Sequence, residues 1–284
     1  MTAPPQIPLR FATGNHLEGA TITVTPEPAA ATPIAHLVDE RANRQVIWAG
    51  LERDVVIDIV PDQLRATSVL ALLGDTLAGL DQARLNLYAD DAHTALVYST
   101  GFVPLAEPLP VETWRAGVDE FGSTAEEDRP SVYMQWLPEP IAYRSARLVI
   151  RRAEDSSGET LALRAAVLGE MLEFERNFAF GVELEYFRSE PARELASGRH
   201  AYARPWRPSR RLTLTLPAMT DGDRQQLSRM LRRLAGAPFL VSAFSGSSGW
   251  EHDDYSMLCV LEDSNAYRHV RLGRHSTDLV LLEA

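Results

Sequence analysis

"HLVDERANRQVIWAG", residues 36–50, stands between a Pro/Ala-rich stretch (Pro26, Pro28, Pro33) and the apolar run Val55–Val60. A loop Asp, a short polar gap, one Trp and then an apolar run need a structural reason for their order. Part of it lies in "RDVVIDIV" (53–60), where apolar residues occupy both parities except at Asp58. That is the pattern of a strand covered on both faces. A Trp just ahead of such a strand brings a large apolar area to a core, and an Asp carboxylate can tie the loop's N–H groups. Asp39 and Trp48 are therefore expected to hold the fold.

Strand patterns continue on both sides of this stretch. "ATITVTP" (20–26) alternates, and "TSVLALLG" (67–74), "ARLNLYAD" (83–90) and "TALVYSTG" (94–101) follow, the last two joined by the turn "DDAH" (90–93). Residues 104–130 are irregular and include the acidic, turn-forming "DEFGSTAEEDR" (119–129). "SVYMQWL" (131–137) and "SARLVIRR" (145–152) are strands again, and "TLALRAAVLGEML" (160–172) reads as a strand or a short helix. Short strands at close spacing with turn signals between them predict a β-sandwich.

The texture changes near residue 180. "FGVELEYF" (180–187) is a strand, and "YARPWRPSRRLTLTLP" (202–217) begins as a Pro-interrupted basic loop and ends as one. "TDGDRQQLSRMLRRLAG" (220–236) is a helix: Leu227, Met230, Leu231 and Leu234 share one face, Thr220 with Asp223 forms a capping box, and Gly236 closes the C-terminus. "APFLVSAF", "YSMLCVLED", "YRHVRLG" and "TDLVLLEA" add four strands. The expected fold is mainly β: an N-terminal jelly-roll β-sandwich followed by a smaller β domain with one α-helix. The expected division is an arm at 1–17, the sandwich at 18–178 and the second domain at 179–284, its helix near 221–235.

Composition narrows the functions. Residues 1–180 carry 14 Arg against 26 acids, net −12, whereas residues 181–284 carry 14 Arg against 13 acids, net +1. An acidic surface repels nucleic acid, so no nucleic-acid partner is expected. All 28 basic residues are Arg, which favours planar bidentate ion pairs. The single cysteine, Cys259, excludes an intrachain disulfide and reads as a buried inert thiol. No apolar run is long enough for a membrane span, and "MTAPPQIPLR" (1–10) lacks signal-peptide character, so synthesis in a reducing cytoplasm is expected.

The order loop Asp, Trp, strand, strand, "LNLYADD", "VYSTG" resembles the discoidin-like or galactose-binding-like jelly roll. The residues that carry the resemblance are Leu37, Val38, Asp39 and Trp48, then "VVIDI" with Asp58 at a commonly polar position, then the hairpin "YADDAHTALVYSTG". It spans roughly residues 18–175. The second half, with its Arg-rich strand pair, helix and following strand, is similar to tail and baseplate proteins of tailed bacteriophages. Together the resemblances imply a distal or minor tail protein. Its partners would be further copies of itself in a ring or other homo-oligomer, and other tail proteins. Its location would be the virion tail, after synthesis in the host cytoplasm. The alternative they imply is a carbohydrate-binding module for host-surface adhesion, with exposed aromatics such as Trp114 or Trp136 stacking on sugar.

No motif of nucleophilic, metallopeptidase, nucleotide-binding or EF-hand chemistry is present. No enzyme activity, catalytic residue, metal or cofactor is therefore expected. "SGSSGWEHDDY" (245–255) concentrates Ser, His and Asp, but the consecutive Glu251–Asp254 cannot converge on one ion from a strand, and a long hairpin loop is expected. "AEEDR" (125–129) reads as a solvated loop. The basic stretch 204–211 is the candidate subunit interface: Arg204, Trp206, Arg207, Arg210 and Arg211 are residue types enriched in hot spots. No sugar-binding residue can be named from sequence.

Overall fold

The computed structural model describes residues 8–284 except 39–43, 51–53, 75, 77–80, 106–130, 153–159, 180, 188–192, 195–199, 202–208, 235, 247–249, 263–266 and 272. The first strands are β1 (Arg10–Thr13), β2 (Thr21–Thr25), β3 (Val46–Trp48), β4 (Val55–Val60), β5 (Arg65–Gly74) and β6 (Gln82–Tyr88). They continue with β7 (Leu96–Ser99), β8 (Val103–Pro104), β9 (Ser131–Tyr143), β10 (Ser145–Arg151), β11 (Leu161–Leu163) and β12 (Ala165–Glu173). Next come β13 (Glu183–Phe187), β14 (Arg193–Glu194), β15 (His200–Ala201) and β16 (Ser209–Met219). Helix α1 (Asp221–Leu234), β17 (Phe239–Ser242), helix α2 (Trp250–Tyr255), β18 (Ser256–Leu261), β19 (Arg268–Arg271) and β20 (Arg274–Glu283) complete the order.

A six-stranded sheet runs β2-β4-β10-β6-β7, with β8 beside β6. A ten-stranded sheet runs β13-β16-β20-β18-β17-β1-β12-β5-β9, with β19 beside β20. From β4 to β12 the long strands alternate between them: β4 lies in the small sheet, β5 in the large, β6 in the small, β9 in the large, β10 in the small and β12 in the large, while β7 and β8 stay beside β6 and β11 pairs with β3 in a separate ladder. The pairings are antiparallel, and the connectivity is that of a jelly-roll sandwich. "TLALRAAVLGEML" forms the two strands β11 and β12.

Parity explains the packing. Val55, Ile57 and Ile59 of β4, Leu85 and Leu87 of β6, and Ala146, Leu148 and Ile150 of β10 point inward, where they meet Leu70 and Leu72 of β5 and Leu168 of β12. Trp48 answers the opening stretch. It is 2% exposed in this core, and its indole N–H donates to the Pro26 carbonyl at 2.9 Å, so the buried polar edge is satisfied. Asp39 lies outside the described residues.

The stretch expected as an arm contains β1, which pairs with β12 on one side and β17 on the other. Leu9 and Phe11 enter a second core with Phe174, Leu214, Leu281 and the α1 residues Leu227 and Met230. The capping box is present: Asp223 N–H donates to Thr220 Oγ1 at 3.1 Å, and Thr220 N–H to Asp223 Oδ2 at 3.1 Å. Gly236 follows the helix at φ +94°, where a Cβ would strain the backbone. The expected hairpin loop at 245–255 is only partly a loop, because Trp250–Tyr255 coil as α2. Tyr255 packs edge-on to Phe244 at 4.8 Å and anchors that end on the second core.

Candidate functional site: a polar row on the outer face of the small sheet

The strand positions that alternate away from the sandwich core build this site. On β4 the outward polar residue is Asp58, flanked by Val56 and Val60; register sets it opposite Thr23 of β2 and Arg147 of β10. Arg147 in turn faces Asn86 of β6, and Asn86 faces Ser99 of β7. Five polar residues therefore form one row across five strands.

The row is internally bonded. Arg147 holds Asp58 bidentately, Nε to Oδ1 at 2.6 Å and Nη2 to Oδ2 at 2.9 Å. This carboxylate pushes the Arg147 guanidinium further above its already high range. Ser99 Oγ donates to Asn86 Oδ1 at 2.7 Å.

The turn "DDAH" folds back over the row. The Asp90 carboxylate accepts the N–H groups of Thr94 and Ala95 and the Thr94 hydroxyl. The Thr94 hydroxyl first, then the Ala95 N–H, holds that carboxyl below its usual range. The clamp sets His93 at φ +58°, an uncommon conformation for a residue with a Cβ. His93 Nε2 lies 3.3 Å from the Ala146 carbonyl and 3.7 Å from Asp58 Oδ1, with the ring edge-on to Tyr88 at 5.2 Å. Arg144 reaches Asp91 at the rim at 3.3 Å.

Chemically the row offers hydrogen-bonding edges. The Asp58 carboxylate is paired with a guanidinium, while its partly exposed edge and that of Arg147 can still meet hydroxyl groups. Among the described residues no group of three His, Cys, Asp or Glu is placed to hold a metal ion. No described helix is long and apolar enough to cross a membrane.

Apart from Asp58 and the turn at 90–93, the residues singled out in sequence fall elsewhere. Arg204, Trp206, Arg207, Trp114 and the stretch 125–129 lie outside the described residues. Arg210 turns inward: 7% exposed, it holds Glu283 through Nη2–Oε1 at 2.6 Å and Nε–Oε2 at 3.1 Å, and donates to the Asp254 carbonyl at 3.2 Å. Arg211 bridges Glu262 at 2.5 Å and Glu185 at 3.7 Å. Trp136 is half-buried, with the Arg10 guanidinium 5.6 Å from its ring centroid. Cys259 is fully buried, and burial raises its thiol well above the ordinary range.

No protein-family model matches the chain, and no curated protein matches it. Solved structures do. A family 32 carbohydrate-binding module from a family 31 glycoside hydrolase of Clostridium perfringens is 16% identical at a TM-score of 0.37, covering 55% of this chain and 96% of that one. The family 32 module of C. perfringens NanJ, solved with galactose, is 12% identical at 0.37, covering 57% and 99%. A Ruminococcus gnavus family 29 fucosidase solved with fucose is 10% identical at 0.37, covering 56% of this chain. The match spans only 27% of that fucosidase. Scores this low define neither a family nor a ligand for this chain.

Proposed function

We propose that the chain is a non-catalytic binding protein whose sandwich is a carbohydrate-binding module for host-surface adhesion. The observation that carries this reading is the row Thr23–Asp58–Arg147–Asn86–Ser99 with His93 folded over it. Arg147 with Asp58, and Asn86 with Ser99, hold one another in place, and such fixed polar groups suit hydroxyl recognition without chemistry. Titration against host polysaccharides by calorimetry tests it. Wild type should bind one of them, and Arg147→Ala and His93→Ala should lose that binding while keeping the wild-type circular dichroism. No binding to any host polysaccharide removes the reading.

A second reading is favoured by the ten-stranded sheet, which joins the sandwich to the second half through β1. One stiff body suits a structural component of a bacteriophage tail or baseplate, assembled with itself and with neighbouring tail proteins in the virion. The two readings are compatible if the sandwich faces outward. Light scattering of the purified chain and co-sedimentation with particles test the second. A strictly monomeric chain absent from particles excludes it.

A further inference from the structure

Helix α1 buries Leu227 and Met230 and turns another face outward. On that face Arg224, Ser228, Arg229 and Arg232, with Leu231 and Tyr267, line an open groove of about 570 Å³. The spacing i, i+4, i+5, i+8 keeps the four polar side chains on one side of the helix, along about 12 Å of its axis. The groove has a fixed floor: Ser228 donates its hydroxyl to the Tyr267 oxygen at 3.2 Å, and Arg232 Nε donates to the Ser228 carbonyl at 3.1 Å.

The charge of this groove sets it apart. Arg144, Arg147, Arg152, Arg210 and Arg211 each hold a carboxylate of the same chain. Among the described residues Arg224, Arg229 and Arg232 hold none, and Arg224 Nε is shielded from solvent without a hydrogen-bond partner. Three grouped guanidinium groups without an acid, in a chain of net charge −11, make a positive site in a negative field.

The geometry points to this groove as the seat of a carboxylate-rich segment from a second copy of the chain, residues 119–128. That segment, "DEFGSTAEED", carries Asp119, Glu120, Glu126, Glu127 and Asp128 and no basic residue, and its Phe121 offers an apolar group to Leu231 and Tyr267. Charge complementarity selects it, and a second copy can supply it from the opposite end of the sheet. The segment leads into β9, at one end of the ten-stranded sheet, whereas α1 packs on β16 and β20 near the other. Six strand spacings, roughly 30 Å, separate β20 from β9. Between copies the two features meet head to tail, a heterologous contact that closes a ring when repeated. The proposal rests on the assembly reading above.

The test titrates a fluorescent synthetic peptide of residues 119–128 into the full chain and follows anisotropy, beside sedimentation velocity of the full chain alone. Wild type should bind the peptide, more weakly as NaCl rises. Arg229→Glu with Arg232→Glu should weaken binding by about tenfold or more, and a peptide with its three last acids changed to Arg should bind that variant again. Equal binding to wild type and the double variant overturns the proposal. Self-association that the double variant leaves unchanged overturns this seat but leaves assembly standing, and a monomer that binds no peptide removes both. Peptide binding that appears only after Glu126, Glu127 and Asp128 are neutralised in the full chain shows that the chain fills its own groove, which overturns seating from a second copy.

Discussion

Arg152 Nη1 and Asp81 Oδ2 lie 2.6 Å apart with side chains 4% and 0% exposed, a charge pair removed from water inside the sandwich. Desolvating two charges costs several kcal/mol, and their mutual contact, with the Arg152 Nη1 hydrogen bond to the Thr76 carbonyl at 3.4 Å, helps to offset it. Removing one partner takes the opposite charge away from the other. Arg152→Met is therefore expected to destabilise the chain by about 3–5 kcal/mol, and Arg152→Met with Asp81→Leu by clearly less. Urea unfolding of wild type, single and double variants checks this; a double variant no better than the single would show that the pair's geometry, and not the stranded charge, sets the cost.

Buried His16, beside Tyr143, adds a pH dependence to the stability. His16 Nδ1 is 3.2 Å from the Tyr143 hydroxyl, and both are buried. Burial first, then Arg65 and Arg233, lower the His16 pKa from its ordinary 6.5, with Glu170 opposing. Burial also raises the Tyr143 hydroxyl well above its ordinary range. The unfolded chain binds a proton at His16 below about pH 6.5 while the folded chain resists it, so protons favour unfolding. This stability is full above pH 6.5 and is lost as pH falls through that value toward the depressed one. His16→Gln should flatten the fall in unfolding free energy between pH 7 and 5, measured against wild type by urea titration at each pH.

Gly169 lies where β12 meets the end of β1. A Cβ there would stand 2.7 Å from the Gly14 carbonyl oxygen and 3.0 Å from that of Thr13, both backbone atoms that cannot rotate away. Gly169→Ala should cost about 1–3 kcal/mol through displaced backbone. Gly222, early in α1, meets only Thr220 Oγ1, at an ordinary 3.7 Å, so Gly222→Ala should stabilise by about 0.5–1 kcal/mol. Melting temperatures moving in opposite directions confirm both.

What could be read from sequence divides along physical lines. The strand at Val55–Val60, Trp48 in the core and the capped helix were legible because each signal is local: an apolar run, an indole beside a strand, a Thr–Asp pair three residues apart. The cover expected on both faces of that strand is absent, because Val56 and Val60 are only half-buried beside Asp58 on its outer face. The polar row was legible only at Asp58. Arg147, its partner, is 89 residues away and reaches it through strand register, and His93 depends on a backbone conformation that "DDAH" does not announce. Arg210 misled in the other direction. Its basic neighbours read as a surface, but Glu283, 73 residues on, draws it inward. β1 was missed because four residues, "RFAT", are too few to show a period.

That short strand carries the last prediction. In the large sheet β1 is the strand between β12 of the sandwich and β17 of the second half. Its Phe11 is fully buried, edge-on to Phe174 at 5.7 Å and tilted to Phe239 at 6.0 Å, so one side chain touches residues from both neighbouring strands' ends. Phe11→Ala removes that shared contact and leaves a cavity, at a cost of about 3–5 kcal/mol. The loss falls on the joint, while the sandwich core around Trp48 and Leu72 keeps its own contacts. Wild type is expected to unfold in one calorimetric transition and Phe11→Ala in two, the lower assigned to the second core. A single transition shifted down as a whole would mean that the halves are coupled through more than β1.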